Sequence, residues 1–436
     1  MRWISSDPNN LVYICFMSYL LIAVFLLGYT FIVFEHKIRV DKAATALITG
    51  VLCWVIYIFF NPDFTNINQQ LHGHISDIAS ILFFLIGAMT IVELIDLHQG
   101  FQIVVDKITT TNKRTLLIIV TIISFFLSAV LDNLTTAIVM TSLVQKIVSD
   151  KQDRMIVISM VIIAANAGGA WSPIGDVTTT MLWIGNQISV IGVITTLFIP
   201  CLVSVIIPML LLMRKLTGNF IPMGNGSIVP ESANKDRTFI LFLGVGLLLF
   251  VPFFKAITHL PPYMGMMLAV GILWVVCESM HKKSNRPADT PSSIFSALER
   301  IDMPSILFFM GILLSVAALE ASGFLTQCSQ FLSQHIKQDS VILTCIGLVS
   351  SIFDNVPLVA SLQGMYTLAQ YPTGHFFWNY LAFCTGTGGS ILIIGSAAGI
   401  AAMGIERISF VWYLKNISLA TLIGFLIGAM VCLFLH

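Results

Sequence analysis

Apolar residues run in long unbroken stretches along this chain, and polar residues are confined to short segments between them. About 20 apolar residues wound as a helix match the hydrocarbon thickness of a bilayer. The stretches lack the period-two alternation of transmembrane barrel strands. A chain crossing lipid must satisfy its own backbone, so each stretch is predicted to be helical. The stretches cover residues 11–34, 43–60, 78–97, 116–144, 155–186, 188–213, 238–254, 262–277, 305–320, 341–368 and 377–403, followed by a last helix ending at His436.

Four stretches are interrupted. Residues 116–144 and 341–368 carry a polar pair at their middle, Asp132-Asn133 and Asp354-Asn355. Residues 155–186 are broken by Asn166-Ala-Gly-Gly-Ala-Trp-Ser-Pro-Ile-Gly-Asp176, and two glycines with a proline do not suit a helix interior. Residues 377–403 are broken around Gly388-Gly389.

Basic residues mark cytoplasmic loops. Lys37, Arg39 and Lys42 follow the first stretch, and 61–76 after the second has no Lys or Arg. Lys107, Lys113 and Arg114 follow the third, so the N-terminus is expected outside. Lys146, Lys151 and Arg154 then follow 116–144, which keeps that stretch on the cytoplasmic side as a re-entrant hairpin. A hairpin tip tolerates Asp and Asn where it is buried in protein or lines a cavity. The hairpin 341–368 opens outward, because residues 369–375 carry no basic side chain. Of the 22 Lys and Arg, only Arg2, Lys255, Lys337 and Lys415 then lie outside cytoplasmic loops. The expected fold is an all-α polytopic membrane protein with ten full spans, two hairpins and both termini outside. The first stretch is expected to be a retained helix rather than a signal peptide.

The two halves repeat one another. Gly87 and Asp96 stand nine residues apart, as do Gly311 and Glu320. Asp132-Asn133 maps onto Asp354-Asn355, and Gly168-Gly169 with Ile174-Gly175-Asp176 onto Gly388-Gly389 with Ile394-Gly395-Ser396. The opposite charge orientation makes the repeats inverted: 1–215 and 238–436, joined by a polar cytoplasmic linker, 216–237. In transporters such repeats place the substrate site where broken helices meet at mid-membrane.

Composition narrows the class. The 436 residues are 57% hydrophobic and 10% charged, below the roughly 25% charge of soluble domains. Mean hydropathy is +0.91, which describes a surface facing the lipid bilayer. Acidic and basic residues balance at 22 each, so nothing points to nucleic acid. The eight cysteines are scattered without a CxxC, so no metal centre or disulfide framework is expected, and no cofactor.

Asp132 and Asp354 lie in apolar surroundings, where an unpaired carboxylate is expensive. Such a group either holds a proton or binds a cation, and one that alternates is an exchange site. The plainer alternative is a helix cap, since Asp and Asn cap well. Asp176 opens the second part of a broken helix and is a cap or a cation ligand. Asn166, Ser128, Ser350, Thr387, Ser390 and Ser396 offer neutral oxygens of the kind hard cations prefer. Serines in membrane helices also bond their own backbone. Glu93 is the deepest of the carboxylates near helix ends and could relay protons. No Lys or Arg lies among the break residues, which favours a cation over an anion as ligand. The residues alone reach a cation-coupled transporter rather than an enzyme.

The stretches SAVLDNLTTAIVM (128–140), NAGGAWSPIGDVTTTMLW (166–183), SSIFDNVPLVA (350–360) and GTGGSILIIGSAAG (386–399) resemble the NhaD-type sodium/proton antiporters. These belong to the ion transporter superfamily with arsenite permeases and divalent-anion/sodium symporters, and the likeness covers nearly the whole chain. It implies exchange of Na⁺ or Li⁺ for protons across a bacterial-type inner membrane. It also implies a scaffold domain, a mobile transport domain and a homodimer. On that picture Asp132, Asn133, Asp176, Thr178, Thr179, Asp354 and Asn355 line the ion path, with Na⁺ at Asp132, Asn133, Asp176 and Asn355. A dicarboxylate or arsenite permease on the same scaffold is the alternative. An intramembrane aspartyl protease using Asp132 and Asp176 is a more distant one, because Pro173-Ile-Gly175-Asp176 departs from the Gly-x-Gly-Asp of those enzymes.

Overall fold

The computed structural model describes residues 8–33, 35–60, 64–103, 110–219, 231–283, 294–336 and 338–436. Every regular element among them is a helix. The first half contains α1 (Pro8–Val33), α2 (Glu35–Ile38), α3 (Lys42–Phe59), α4 (Phe64–Leu97), α5 (Lys113–Ser128), α6 (Asn133–Ile147), α7 (Lys151–Ala170), α8 (Val177–Ile184) and α9 (Val190–Met213). The second contains α10 (Glu231–Thr258), α11 (Pro262–Lys283), α12 (Ile294–Arg300), α13 (Met303–Ala321), α14 (Phe324–His335), α15 (Asp339–Val349) and α16 (Asn355–Met365). It ends with α17 (Phe376–Gly388), α18 (Ala397–Glu406), α19 (Phe410–Asn416) and α20 (Ser418–Phe434).

Seven helices among the described residues are long and apolar enough to cross a membrane, or eight if Ala397–Glu406 and Phe410–Asn416, bent by 111°, form one span. These seven coincide with expected spans. The chain is therefore a polytopic α-helical membrane protein.

Several boundaries differ from expectation. Residues 64–77, expected as loop, form the start of α4, where Gln70 Oε1 accepts from Tyr57 Oη at 3.1 Å. α12 and α14 lie in segments expected to be loop, because short polar helices leave no long apolar run. The expected linker 216–237 lies partly outside the described residues, and its last part already belongs to α10. The broken stretch 155–186 stays helical through Gly168-Gly169 to Ala170 and breaks at residues 171–176.

Contacts divide the chain into two compact units. The first comprises residues 1–82, 302–337 and 360–367. In it α1 and α13 pack on α3. A Cβ on Gly50 would lie 2.6 Å from the Gly311 carbonyl oxygen, and Trp54 Nε1 donates to Leu314 O at 2.9 Å.

The second unit, residues 83–301, 338–359 and 368–436, holds every expected site residue. Its hub is α7, buried from Met155 to Ala170, against which α5, α6, α9, α17 and α18 pack. The reason for the glycine pair is close approach. A Cβ on Gly168 would run into the Phe125 carbonyl, and one on Gly388 into the Gly347 carbonyl. Ser128 Oγ donates to Ala165 O at 2.5 Å, and its counterpart Ser350 Oγ donates to Thr385 O at 2.9 Å. The same tip-to-helix contact is thus built twice, about 220 residues apart.

The basic ends of several helices gather. Lys113 at the start of α5 meets Asp153 at 2.5 Å, and Arg154 meets Glu406 at 2.6 Å. Gln145 near the end of α6 donates to Glu406 at 2.8 Å, and Lys215 Nζ after α9 donates to Asn416 O at 2.9 Å. Both ends of the α5–α6 pair therefore lie beside the first turn of α7. At the far end of α8, Lys255 Nζ donates to Trp183 O at 3.1 Å and sits 4.9 Å from the Trp183 ring centre.

Overpacking of this kind costs about 1–3 kcal/mol. Gly168→Ala and Gly388→Ala are expected to melt lower in detergent than the wild type. Gly246→Ala, in α10 with open space around it, is expected to match or exceed the wild type. Equal melting temperatures for all three would remove the packing account of the glycine pair.

Candidate functional site

Four helix N-termini carry the expected site residues. Asp132 is the N-cap of α6, Asp176 of α8 and Ser396 of α18, while Asn355 opens α16. Asp176 and Ser396 occupy equivalent positions with matching backbone, φ −144°, ψ 145° and φ −145°, ψ 152°. Each short polar side chain accepts from a backbone N–H in the first turn of its own helix: Asp176 Oδ1 from Thr178 at 2.9 Å, and Ser396 Oγ from Gly399 at 3.1 Å.

Asp176 is 1% exposed. Four donors reach its carboxylate. Asn133 Nδ2 donates to Oδ2 at 2.7 Å, and Asn355 Nδ2 donates to Oδ2 at 3.2 Å. The Thr178 amide and the Thr178 hydroxyl both donate to Oδ1 at 2.9 Å. Asn133 Nδ2 also donates to Asn166 Oδ1 at 3.2 Å. Asn166 Nδ2 in turn donates to Ser396 Oγ at 2.8 Å and Ser390 Oγ at 3.0 Å. One network thus joins Asn133, Asn166 and Asp176 of the first half to Asn355, Ser390 and Ser396 of the second. All six are buried.

Around this network the other expected residues make bonds of their own. Asp132 spends both oxygens on Thr135, accepting from its amide at 2.7 Å and its hydroxyl at 2.8 Å. Asp132 and Asp176 share no hydrogen bond among the described residues. Asp354 is half-buried and accepts from Val356 N at 3.3 Å. Thr179 donates to the Asp176 carbonyl at 2.9 Å and Thr387 to Phe383 O at 2.5 Å. Ser128 and Ser350, bonded to carbonyls as described above, complete the helix contacts rather than the network. Glu93 lies half-buried on α4 and makes no hydrogen bond to the network.

Asp132 adopts φ 144°, ψ 163°. Glycine takes this region freely, and other residues are strained there by about 1–3 kcal/mol. The strain turns the tip so that Asn133, the next residue, reaches Asp176.

No Lys or Arg is in ion-pair range of Asp132 or Asp176 among the described residues. A desolvated carboxylate without a basic partner calls for a proton or a cation. The surrounding side chains supply amide and hydroxyl oxygens only, which suits a hard monovalent or divalent ion rather than a transition metal. Among the described residues no group of three or more His, Cys, Asp or Glu is placed to hold a metal.

A polytopic helical membrane protein with broken helices meeting at a buried carboxylate is, as a class, a membrane transporter. A family model described as "Citrate transporter" matches residues 29–379. "Sodium/proton antiporter 1" of Arabidopsis thaliana is 43% identical over 94% of this chain and 71% of its own length. "Sodium/proton antiporter 2" of the same plant is 42% identical over 94% of this chain and 98% of its own. "Na(+)/H(+) antiporter NhaD" of Alkalimonas amylolytica is 29% identical over 90% and 85% respectively. The chain belongs to the family this model describes, and within it to the NhaD-type sodium/proton antiporters.

The strain at Asp132 makes a prediction about stability. Asp132→Ala loses the cap and keeps the strain, whereas Asp132→Gly loses the cap and relaxes the backbone. The glycine variant is expected to be more stable than the alanine variant by about 1–3 kcal/mol in thermal unfolding. Indistinguishable variants would mean the tip carries no strain.

Proposed function

We propose that the chain exchanges Na⁺ or Li⁺ for protons, with the two competing for the Asp176 carboxylate. The observation that carries this reading is a fully buried acid surrounded by neutral donors and oxygens, with no basic partner. An amide presents either Nδ2 or Oδ1 after a half-turn of its terminal torsion. Asn133 and Asn355 thus hold the free carboxylate through nitrogen and would coordinate a cation through oxygen. Asn166, Ser390 and Ser396 supply further oxygens. Asp132 and Asp354 cap the two tips and keep Asn133 and Asn355 in reach. The names of the relatives agree with this exchange.

Crossing the membrane with a bare carboxylate is costly, so the site moves only when neutralised by Na⁺ or H⁺. On the acidic side the acid takes a proton and releases Na⁺, and on the alkaline side it loses the proton and Na⁺ binds. Alternating access then exchanges one for the other, because each ligand shifts the equilibrium through its different affinity for the two states. The architecture we assign is two inverted repeats with ten spans and re-entrant hairpins at α5–α6 and α15–α16. The meeting of Lys113, Gln145 and the first turn of α7 supports the first hairpin. The start of α15 is likewise held near the loop after α16, where Tyr371 Oη donates to Asp339 at 2.7 Å. The family likeness adds an inner-membrane location, a homodimer and movement of a transport domain.

The description "Citrate transporter" suggests an organic anion instead. Anion sites in membrane transporters use bare helix N-termini or basic side chains. Here the N-termini of α6 and α8 are capped by their own carboxylates and that of α18 by Ser396, which leaves the positive ends occupied.

In proteoliposomes with a preset pH gradient, Na⁺ or Li⁺ is expected to collapse the gradient. Asp176→Asn is expected to remove the response, whereas Asp132→Asn, which keeps a capping side chain, is expected to retain it. Thr178→Val, which loses one hydrogen bond to a charged group worth about 1.5–3 kcal/mol, is expected to raise the apparent KM for Na⁺ by roughly tenfold or more, and Thr178→Ser to restore it. Citrate-driven flux without cation exchange would sink the antiporter reading.

The orientation is tested separately. In right-side-out vesicles carrying single cysteines, an impermeant maleimide is expected to label His375→Cys and to spare Gln152→Cys. The reverse pattern would overturn the assigned sidedness.

A further inference from the structure

Glu406 is 4% exposed and lies far along α18 from the site. Arg154 Nε donates to its Oε1 at 2.6 Å and Gln145 Nε2 to its Oε2 at 2.8 Å. Arg154 Nη1 also donates to Val148 O at 3.2 Å, in the connector between α6 and α7. Each of the three helices tied here delivers a network residue. α6 begins with Asn133 and reaches Gln145, α7 runs from Arg154 to Asn166, and α18 is capped by Ser396 and ends at Glu406. At 1.5 Å per residue the tie stands about 15–18 Å from the network on each helix. The same helices are thus fixed at two levels, by the network and by one ion pair whose carboxylate is buried.

The repeat shows that this tie is particular to one end. An offset of 220 residues takes Asp176 to Ser396, Asn186 to Glu406 and Arg154 to Gly374. At the corresponding end of α8 there is no acid. Gly374 N donates to Gln187 O at 2.7 Å, and Asn186 Oδ1 accepts from Lys255 at 3.2 Å. A backbone hydrogen bond stands where the other end has an arginine–carboxylate pair.

We infer that Glu406, with Arg154 and Gln145, is a positioning unit that sets the spacing of Asn133, Asn166 and Ser396 around Asp176. The inference rests on reading that network as the exchange site. Removing Arg154 leaves the buried Glu406 carboxylate uncompensated, and removing Glu406 leaves the part-exposed Arg154 without its charge partner. Loss of Glu406 therefore lets α6 and α18 move apart at their ends, and the displacement reaches the network through two rigid helices. The Gln145 bond adds geometric definition, since the carboxylate is held at both oxygens.

The test compares Glu406→Gln, Arg154→Gln and the charge-swapped Arg154→Glu/Glu406→Arg protein. Hydrogen–deuterium exchange is read at residues 129–136 and 389–399, and Na⁺-dependent proton flux in proteoliposomes. The single variants are expected to exchange faster in both segments. Their apparent KM for Na⁺ is expected to rise three- to tenfold with maximal rate within twofold of wild type, and the swap is expected to return both readouts most of the way. Unchanged exchange and KM in Glu406→Gln, or a swap no better than the single variants, overturns the inference. If neither single variant folds, a folded swap upholds the pairing and an unfolded one overturns it. Wild-type protein with no Na⁺-driven flux defeats the exchange reading instead, and the hydrogen-exchange comparison still decides whether Glu406 orders the site.

Discussion

A carboxylate in the interior of a membrane protein, with no lysine or arginine beside it, has to be solvated by the protein itself. Asp176 is that group, and the second unit is organised around meeting its demand. Two of its four donors come from its own helix start, and two from Asn133 and Asn355 on separate helix ends. Bringing four helix ends to one point requires breaking two helices and turning the chain at two tips. Beside the breaks Ser172 donates to the Ala129 carbonyl, and Ser128 and Ser350 donate to carbonyls of α7 and α17. Remove the acid, and the polar side chains crowded around it would be a liability in an apolar core.

Close backbone approach is the second condition. Gly168 and Gly388 let the tip arms lie directly on the hub helices, with no side chain between them. Gly175 and Gly395 do the same for the break segments, where a Cβ on Gly175 would lie 2.5 Å from Ser128 O. These contacts leave little room for adjustment. Asp132, held at φ 144°, absorbs the residual misfit of its tip in a single strained residue.

Much of this was legible in the amino-acid sequence, for a physical reason. Polar residues inside long apolar runs are too costly to be incidental, so Asp132-Asn133, Asn166, Asp176 and Asn355 announced themselves. The spacing of the glycine and Asp-Asn pairs is what pointed to two matching halves. What the pattern could not resolve was which oxygen meets which nitrogen. Asp132, expected on the ion path with Asp176, bonds Thr135, while of the candidate oxygen donors Ser390 and Ser396 join the network through Asn166 and Ser128, Ser350 and Thr387 meet backbone carbonyls. The helix through Gly168-Gly169 was misread because glycine propensity was weighed without the neighbouring backbone that makes glycine necessary. Polar helices such as α14 left no hydrophobic signal, and nothing in the apolar pattern marked Glu406, which the fold buries.

The likeness between Asp176 and Ser396 has a consequence for symmetry. The two residues share backbone conformation and capping role, and differ only in that one is an acid. An assembly of two identical chains related by a two-fold axis must place the same residue on both sides of that axis. It can offer two facing acids or none. Two positions of one chain carry no such constraint, so a single charge can occupy the centre while Ser396 keeps the capping shape without the charge.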